Sequence, residues 1–289
     1  MGKRRIDMPG KIKHPGPVSA ERIISRVGEL IVTDICLKKG DTLIDAVSQV
    51  LEPIGIQGAG IHFENLKLQP ANYVMPTYSH DDQHVAFYSA THEEPEGITV
   101  DIGRATYGYR GGVPFMHFHG LWKKNGKQQG GHLLPPDCVI AEDCTAIVYS
   151  ADGVGITSID DKETNFTIFT PEDVKETSGQ ENKRRCVVAT VKANEDLQEA
   201  MVKICEKYEL KNPKIWTGIG STVGGTFENG NIVQEIPTEL MVFEGSLEGK
   251  TAIIDTVLID AEGNYHFGKL EQGQNPVLIL FELVLAEGE

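Results

Sequence analysis

The sequence is poor in cysteine and has no paired cysteine motif. Its five cysteines are an odd set without a CxxC pair, which argues against a disulfide framework or a zinc knuckle. No window approaches the roughly 18 consecutive apolar residues of a membrane span. The basic start MGKRRIDMPGKIKHPGP is not followed by the apolar core of a signal peptide. We therefore expect reduced thiols, a cytoplasmic location and no membrane partner.

Positive charge is also scarce. The chain has 42 acidic and 27 basic residues and a formal net charge of -15, so its summed field should repel a phosphate backbone. Nucleic acid is therefore a partner that the net charge disfavours, and the simpler interpretation of the N-terminal arm is a solvated leader. That arm is the one place where basic residues cluster, at Lys3, Arg4, Arg5, Lys11 and Lys13.

The chain contains an internal repeat. Residues 40–63 (GDTLIDAVSQVLEPIGIQGAGIHF) align without gaps on 194–217 (NEDLQEAMVKICEKYELKNPKIWT). Each segment follows a stretch rich in β-branched residues, begins with acidic residues and continues with apolar residues at helical spacing. The pattern predicts strand, helix and strand in each copy. We therefore predict two tandem domains, at 18–159 and 185–289, joined by a polar linker at 160–184.

The dipeptide Asn125-Gly126 predicts a two-residue type I′ turn, because both central positions of that turn need positive φ. If these two residues form the turn, His119 faces His132 on the opposite strand. His117 lies two residues before His119 and therefore on the same face. Opposed β-carbons lie about 4.5–5.5 Å apart, so the three imidazoles can converge on one ion.

Three neutral imidazoles, with a fourth position left to water, are typical of a catalytic zinc site. We therefore predict that His117, His119 and His132 bind zinc or another divalent transition metal. The alternative is a trio of hydrogen-bonded histidines without a metal. The prediction requires a regular ladder, because a bulge at Gly130-Gly131 would turn His132 to the opposite face.

The second copy serves as an internal comparison for the histidines. Glu262-Gly263 takes the place of Asn125-Gly126, and Ile254, Thr256 and Lys269 align with the three histidines. Only the first copy is therefore predicted to carry the ligands, and the second is interpreted as a scaffold or interface copy.

These features resemble the plant and prokaryote conserved (PPC) domain family, whose members are described as candidate DNA-binding proteins. The resemblance covers about 22–158 and 185–287 and implies the α/β (α+β) class. It further implies a mostly antiparallel sheet with one main helix in each domain, a homotrimer, and metal binding by the three histidines. The plant members carry an AT-hook with an Arg-Gly-Arg-Pro core, which this chain lacks. The matching stretches are HFHG at 117–120, GGHL at 130–133, GDTL at 40–43, GIGSTVGGTFENG at 218–230 and GQNPV at 273–277.

Four further side chains are candidate catalytic residues. Arg104, Tyr107 and Arg110 lie on the segment that leads to the histidines, where a guanidinium or phenol could bind an anionic substrate. Packing on the sheet is an equal alternative for them. Glu142 could act as general base for a metal-bound water. Three other carboxylates could do so equally well, namely Asp143, Asp82 and Glu93.

Two other segments have alternative interpretations. The insertion PTYSHDDQHVAFYSATHEEPEG at 76–97 is either a lid with extra ligands, among His80, His84 and His92, or a solvated loop. GIGSTVGG at 218–225 lacks the third glycine of a dinucleotide fingerprint, and we interpret its glycines as turn or tight-packing residues.

The sequence thus predicts a metal-dependent enzyme of hydrolase, lyase or isomerase type that acts on a small anionic molecule. Two alternatives come from other classes. One is a DNA-binding transcriptional regulator that uses the basic arm. The other is a metal-stabilised oligomer that binds a ligand without chemistry.

Overall fold

The computed structural model describes residues 10–124, 126–177 and 184–288. We call the described residues up to 177 the first half and those from 184 the second half. Short 3₁₀ turns cover Glu52–Ile54 and Pro135–Asp137. The other elements are β1 (Ile23–Leu37), α1 (Leu43–Leu51), β2 (Ala59–Leu68), β3 (Ala71–Val74), β4 (Pro76–Tyr78), β5 (Ala86–Tyr88), β6 (His92–Glu94), β7 (Ile98–Arg110), β8 (Val113–Lys124), β9 (Lys127–Leu133), β10 (Cys144–Ala151), β11 (Val154–Asp160), β12 (Thr167–Asp173), β13 (Arg185–Lys192), α2 (Leu197–Tyr208), β14 (Pro213–Thr226), β15 (Ile232–Glu248), β16 (Thr251–Ile259), β17 (Tyr265–Lys269) and β18 (Val277–Glu287).

One large sheet contains strands of both halves. Moving outward from the central β1–β13 pair, the first half follows the order β1-β10-β2-β7-β8-β9, and the second half follows β13-β18-β14-β15-β16-β17. The pairings along these two orders are all antiparallel. Strands β4 and β5 form a separate hairpin within the insertion at 76–97.

The mostly antiparallel sheet of the predicted fold class is therefore confirmed. The described residues are dominated by strands, with one α-helix in each half. The two sheets expected for separate domains are joined into one through β1. The first part of this strand pairs with β13, and its last part pairs with β10. This length lets one strand satisfy the backbone groups of two neighbours that would otherwise be open edges.

The segment at 160–184, predicted to be a linker, carries regular structure. Strand β12 lies within it and pairs with β11 along the whole of its length. Asp161 of this segment accepts an ion pair from Lys192 of β13 at 2.5 Å. Residues 178–183 lie outside the described residues, and the domain boundaries themselves stay a prediction.

Both helices begin at capping side chains: the cap of α2 is Asp196, one of the acidic residues at the start of the repeat, whereas the cap of α1 is Thr42, next to the acidic Asp41. Thr42 accepts a hydrogen bond from the Asp45 backbone N–H at the start of α1. Asp196 accepts from the Gln198 and Glu199 backbone N–H groups at the start of α2. These bonds satisfy donors that a helix start leaves without partners.

Asp196 should contribute measurably to stability, because its carboxylate also accepts from the Asn275 backbone N–H at 2.8 Å. We expect Asp196→Ala to lower the free energy of unfolding by about 1–2 kcal/mol, the usual range for a lost cap. Urea unfolding measures the change. The control is Glu206→Ala, which removes an exposed carboxylate from the same helix. Equal stability of the two variants would contradict the capping role.

The halves also pack against each other away from the β1–β13 pair. Met241, Val257 and Ile259 of the second half belong to the same buried cluster as Phe118 and Trp122 of the first. Strand β8, which carries two of the histidines, therefore lies against strands of the second half. The cores of the two halves are not independent on this side of the molecule.

Candidate metal centre

The hairpin of β8 and β9 has the register that the sequence predicted. His119 pairs with His132, Trp122 with Gln129, and Lys124 with Lys127. Gly126 has a φ of 76°, as the predicted turn requires; Asn125 lies outside the described residues. The ladder continues through Gly130 and Gly131 without a bulge, so His132 stays on the predicted face.

The two glycines of β9 allow close packing, Gly130 against Ile259 of the second half and Gly131 against Met75 of the first half. A β-carbon at Gly130 would lie 2.5 Å from the Ile259 Cδ1 atom, and one at Gly131 would lie 2.9 Å from the Met75 sulfur. The Gly130 backbone N–H donates to the Gly263 carbonyl oxygen at 3.2 Å. A side chain at either glycine would push the hairpin away from its neighbours.

The three predicted histidines meet at one point. Their ligand atoms lie within 4.8 Å of one another. The exposed fractions of His117, His119 and His132 are 8%, 1% and 8%. Burial is the main cause that lowers the pKa of His119 to about 3 and that of His132 to about 4, and it also lowers the pKa of His117. The imidazoles are therefore neutral at pH 7, which is the form that binds metal ions.

Hydrogen bonds fix the orientation of two of the rings. His119 donates from Nδ1 to the Leu240 carbonyl oxygen at 3.1 Å, since a carbonyl can only accept. His117 places Nδ1 at 3.0 Å from a Glu282 carboxylate oxygen. Because the imidazole is neutral, this contact is a hydrogen bond and not an ion pair. When the ionised Glu282 carboxylate accepts from His117 Nδ1–H, both Nδ1 atoms carry a proton and the two Nε2 atoms have free lone pairs.

These two Nε2 atoms lie 2.9 Å apart. Two nitrogen lone pairs that face each other at this distance repel, unless a proton or a cation lies between them. Outer hydrogen bonds from Nδ1 to a carboxylate and a carbonyl are the arrangement that orients histidines around a metal ion. The side chains present therefore fit a divalent cation.

A carboxylate of the second half faces the same point. Glu239 Oε1 lies 3.3 Å from His132 Nδ1 and 3.5 Å from His119 Nε2. Among the described residues, His132 Nδ1 and Glu239 Oε2 are buried without a hydrogen-bond partner. Burial raises the pKa of Glu239 to about 7 and that of Glu282 to about 8. Buried polar atoms without partners are costly, and a cation bound by the histidines and Glu239 would remove this cost.

Glu239 and Glu282 were missed in the sequence because the second half was interpreted as a scaffold. The signal that could have found them is a single carboxylate inside an apolar strand, as in LILFELVL for Glu282. Such a charge is rarely buried without a partner. In the first half, Thr145 occupies the corresponding position, since it pairs with Cys36 as Glu282 pairs with Thr190.

Glu282 is expected to strengthen metal binding through His117. We expect Glu282→Gln to weaken divalent metal affinity roughly 10- to 100-fold, the usual effect of losing such an outer partner. Isothermal titration calorimetry with Zn²⁺ measures the change. Glu287→Gln, near the end of the same strand and paired with Arg185, is the matched control. Equal affinities of the two variants would contradict the role of Glu282.

A cavity of about 390 Å³ opens beside the histidines, between the two halves. Its size lies in the range of small-molecule sites. The insertion at 76–97 contributes to one wall through Pro76 and the strand β5. The second half contributes residues of β14, β15 and β18, including Ser221, Glu239 and Glu282.

The candidate catalytic residues are only partly brought to this cavity. Arg110 lines it. Arg104 pairs with His119 across the strands, but it is buried and donates to its neighbour's carbonyl, that of Gly103, and it does not line the cavity.

Tyr107 and Glu142 do not line the cavity either. Tyr107 is fully buried in the core of the first half, with its hydroxyl next to that of Tyr109. Glu142 is exposed and paired with Lys67. The alternative bases Asp143, Asp82 and Glu93 are also absent from the lining.

The second hairpin, β16 and β17, differs from its predicted alignment. Thr256 pairs with Gly268, whereas Lys269 pairs with Asp255. Lys269 is therefore not the counterpart of His132. The difference arises because a loop of five residues, 260–264, separates β16 from β17, whereas the alignment assumed a two-residue turn. Thr256 is buried and donates to the Met241 carbonyl oxygen, so the position that corresponds to His119 offers no imidazole.

The histidines of the insertion at 76–97 do not join the cluster. His84 packs on Phe87 and Phe166, and His92 stacks on Tyr73. Neither belongs to the histidine cluster, and nor does His80. GIGSTVGG lies within β14, where a β-carbon at Gly220 would lie 2.3 Å from the Leu280 carbonyl oxygen. The tight-packing interpretation of this glycine is confirmed.

No protein-family model and no curated protein matches the chain. Solved structures match about half of it. A metal-containing protein from Archaeoglobus fulgidus is 21% identical, with a TM-score of 0.37, over 50% of this chain and 94% of its own. A candidate DNA-binding protein from Ralstonia eutropha is 16% identical, with a TM-score of 0.37, over 49% of this chain and 95% of its own.

A PPC protein from Pyrococcus horikoshii is 16% identical, with a TM-score of 0.38, over 55% of this chain and 99% of its own. A PPC protein is thus among the structures to which the chain is similar, as the sequence resemblance predicted. Within the described residues, neither helix has the length and apolar character needed to cross a membrane.

Proposed function

We propose that this protein binds a divalent transition metal at a site shared by its two halves. The histidines of the first half and Glu239 of the second would hold the ion, and Glu282 would orient His117. The observation that carries the proposal is the 2.9 Å separation of the His117 and His119 Nε2 atoms, with the His119 Nδ1 atom bonded to the Leu240 carbonyl and the His117 Nδ1 atom bonded to the Glu282 carboxyl group. Nitrogen and carboxylate ligands together suit zinc first, and also manganese or iron.

The proposed activity is metal-assisted hydrolase, lyase or isomerase chemistry on a small anionic molecule. A bound divalent ion supplies Lewis-acid chemistry, in that it polarises a carbonyl group or lowers the pKa of water. The chain's own residues would exclude bulk water with the apolar wall of the cavity, and Arg110 would bind the anion. The free Oε2 atom of Glu239 is the group best placed to hold a proton.

The same proposal includes a tandem duplication of a PPC-like unit. The support is the corresponding strand order of the two halves and the helix that follows the first strand of each. In this interpretation one copy keeps the histidines and the other keeps the carboxylates. The homotrimer and the cytoplasmic location expected from the sequence belong to the proposal as well.

Metal analysis tests the proposal directly. The purified full chain is stripped with a chelator, reloaded with Zn²⁺, Mn²⁺ or Fe²⁺, and dialysed. We expect elemental analysis to find one ion per chain, and anomalous scattering in crystals to place it between His117, His119 and His132. A chain that retains no ion, or an ion bound elsewhere, would overturn the proposal.

DNA binding is the second candidate, because basic residues gather in the N-terminal arm. Residues 1–9 of that arm lie outside the described residues. A shift of double-stranded DNA on a gel that weakens steeply with salt, and that is lost when residues 1–17 are deleted, would support this role. Deletion without effect on the shift would exclude the arm.

A further inference from the structure

The cavity beside the histidines is mainly apolar. Aromatic rings dominate one side: Phe166 lies 5.9 Å from Phe87 and 6.4 Å from Tyr88 between ring centroids. Tyr88 also packs against His132 with ring centroids 4.9 Å apart. The aromatic cluster therefore begins next to the histidines and extends away from them. Flat or branched apolar groups would displace water from such a surface.

Arg110 supplies the positive charge of the cavity. Its guanidinium lies 3.6 Å above the Phe115 ring centroid, and its Nε atom donates to the Ser158 hydroxyl at 3.4 Å. Within the part of the chain that the structure describes, no carboxylate forms an ion pair with Arg110. Arg110 lines the same cavity as His117, His119 and His132, so the guanidinium faces the space beside the histidines.

Two carboxylates limit the negative charge that a ligand can carry at the histidine end of the cavity. Glu239 and Glu282 both line the cavity beside the histidines, and they would offset a divalent ion bound there. Asp160 interacts with Arg110 electrostatically but does not line the cavity, so among the described residues that line it Arg110 has no ion-pair partner. A head group with one negative charge would match it, whereas a doubly charged phosphate would be repelled by both carboxylates.

We propose that the cavity binds a monocarboxylate with a small aromatic or branched apolar body. The carboxylate would lie at the histidine end within reach of Arg110, and the apolar body would lie against Phe87, Tyr88 and Phe166. This inference rests on the proposed function, because it assigns a ligand class to the same site. Beyond the proposed function, it names the head group of the ligand, the charge of that group and the aromatic wall that binds the apolar part.

Calorimetric titration of the zinc-loaded full chain tests the inference with three probes: phenylacetate, phenylacetamide and acetate. We expect phenylacetate to bind. The neutral amide should bind roughly tenfold or more weakly, because it loses a charge-assisted hydrogen bond. Acetate should also bind roughly tenfold or more weakly, because it buries no ring.

Two variants locate the ligand. Arg110→Gln should weaken phenylacetate binding roughly tenfold or more and leave zinc affinity equal or slightly higher, since a repelling cation is removed. Phe166→Ala should weaken binding of phenylacetate but not of acetate. Arg26→Gln, which makes the same charge change at a residue paired with Asp173, is the matched control.

The outcomes separate the inference from the function on which it rests. Zinc binding with equal affinity for phenylacetate and its amide would overturn the monocarboxylate and leave the metal site intact. Zinc binding without phenylacetate binding would do the same, as would an Arg110→Gln variant with unchanged phenylacetate affinity. A chain that binds no zinc would overturn both proposals.

Discussion

His119→Ala is expected to abolish high-affinity metal binding. His119 is the most deeply buried of the three histidines, and its Nδ1–H is fixed by the Leu240 carbonyl. Alanine removes one of about four ligands, and the total binding free energy of such sites is about 10–16 kcal/mol. The loss should therefore be about 3 kcal/mol, or at least roughly a hundredfold in dissociation constant. Competition titration against a zinc-binding dye measures it.

Two controls show whether the effect belongs to the site. His80→Ala removes an exposed imidazole from the insertion and should leave the dissociation constant unchanged. Circular dichroism of His119→Ala should match that of the wild type without metal, since the hairpin ladder does not depend on this side chain. A His119→Ala variant that is folded and binds zinc as tightly as the wild type would show that the trio is only a hydrogen-bonded cluster.

The hairpin could be predicted from local chemistry alone. A type I′ turn at Asn125-Gly126 fixes which residues face each other, and the alternation of strand side chains places His117 beside His119. No contact with the second half enters that argument. The register of β8 and β9 follows from it and is confirmed residue by residue.

The same alternation could have corrected one of the catalytic candidates. Thr106 pairs with His117 across the strands, so Thr106 lies on the histidine face and Tyr107 must lie on the opposite one. Tyr107 is indeed buried in the core of the first half. Arg104 has the correct parity and still does not line the cavity, because parity gives the face but not the contacts that cover it.

The carboxylates could not be located in the same way. Glu239 and Glu282 reach the histidines only because β15 and β18 of the second half pack on the face of β8. That packing depends on the joint core of the two halves and on the close approach of Ile259 to Gly130. Separation along the chain gives no information about it, and for the same reason the nearby Glu142 is a wrong choice of neighbour for His132: it lies at the surface with Lys67.

Metal binding is expected to raise the stability of the whole chain, because the ligands come from both halves. His117, His119 and His132 lie on β8 and β9, and Glu239 lies on β15. An ion bound by all four would link strands that are otherwise held by apolar packing and the β1–β13 pair. With free zinc at about 1,000 times its dissociation constant, the gain in unfolding free energy should be about 4 kcal/mol. For a chain of this length the melting temperature should rise by roughly 8 °C.

Differential scanning calorimetry with and without zinc measures this shift, and two variants separate its causes. His119→Ala should lose most of the shift together with most of the affinity. Glu239→Gln keeps all three histidines on one hairpin, so it should still bind zinc, although more weakly than the wild type. At the same free zinc concentration it should therefore gain less stability. If Glu239→Gln gained as much stability as the wild type at the same free zinc concentration, its affinity for zinc would be unchanged and the ion would be held by the hairpin alone. The second half would then contribute only the hydrogen-bond acceptors that orient the rings, and the link between the halves through Glu239 would not exist.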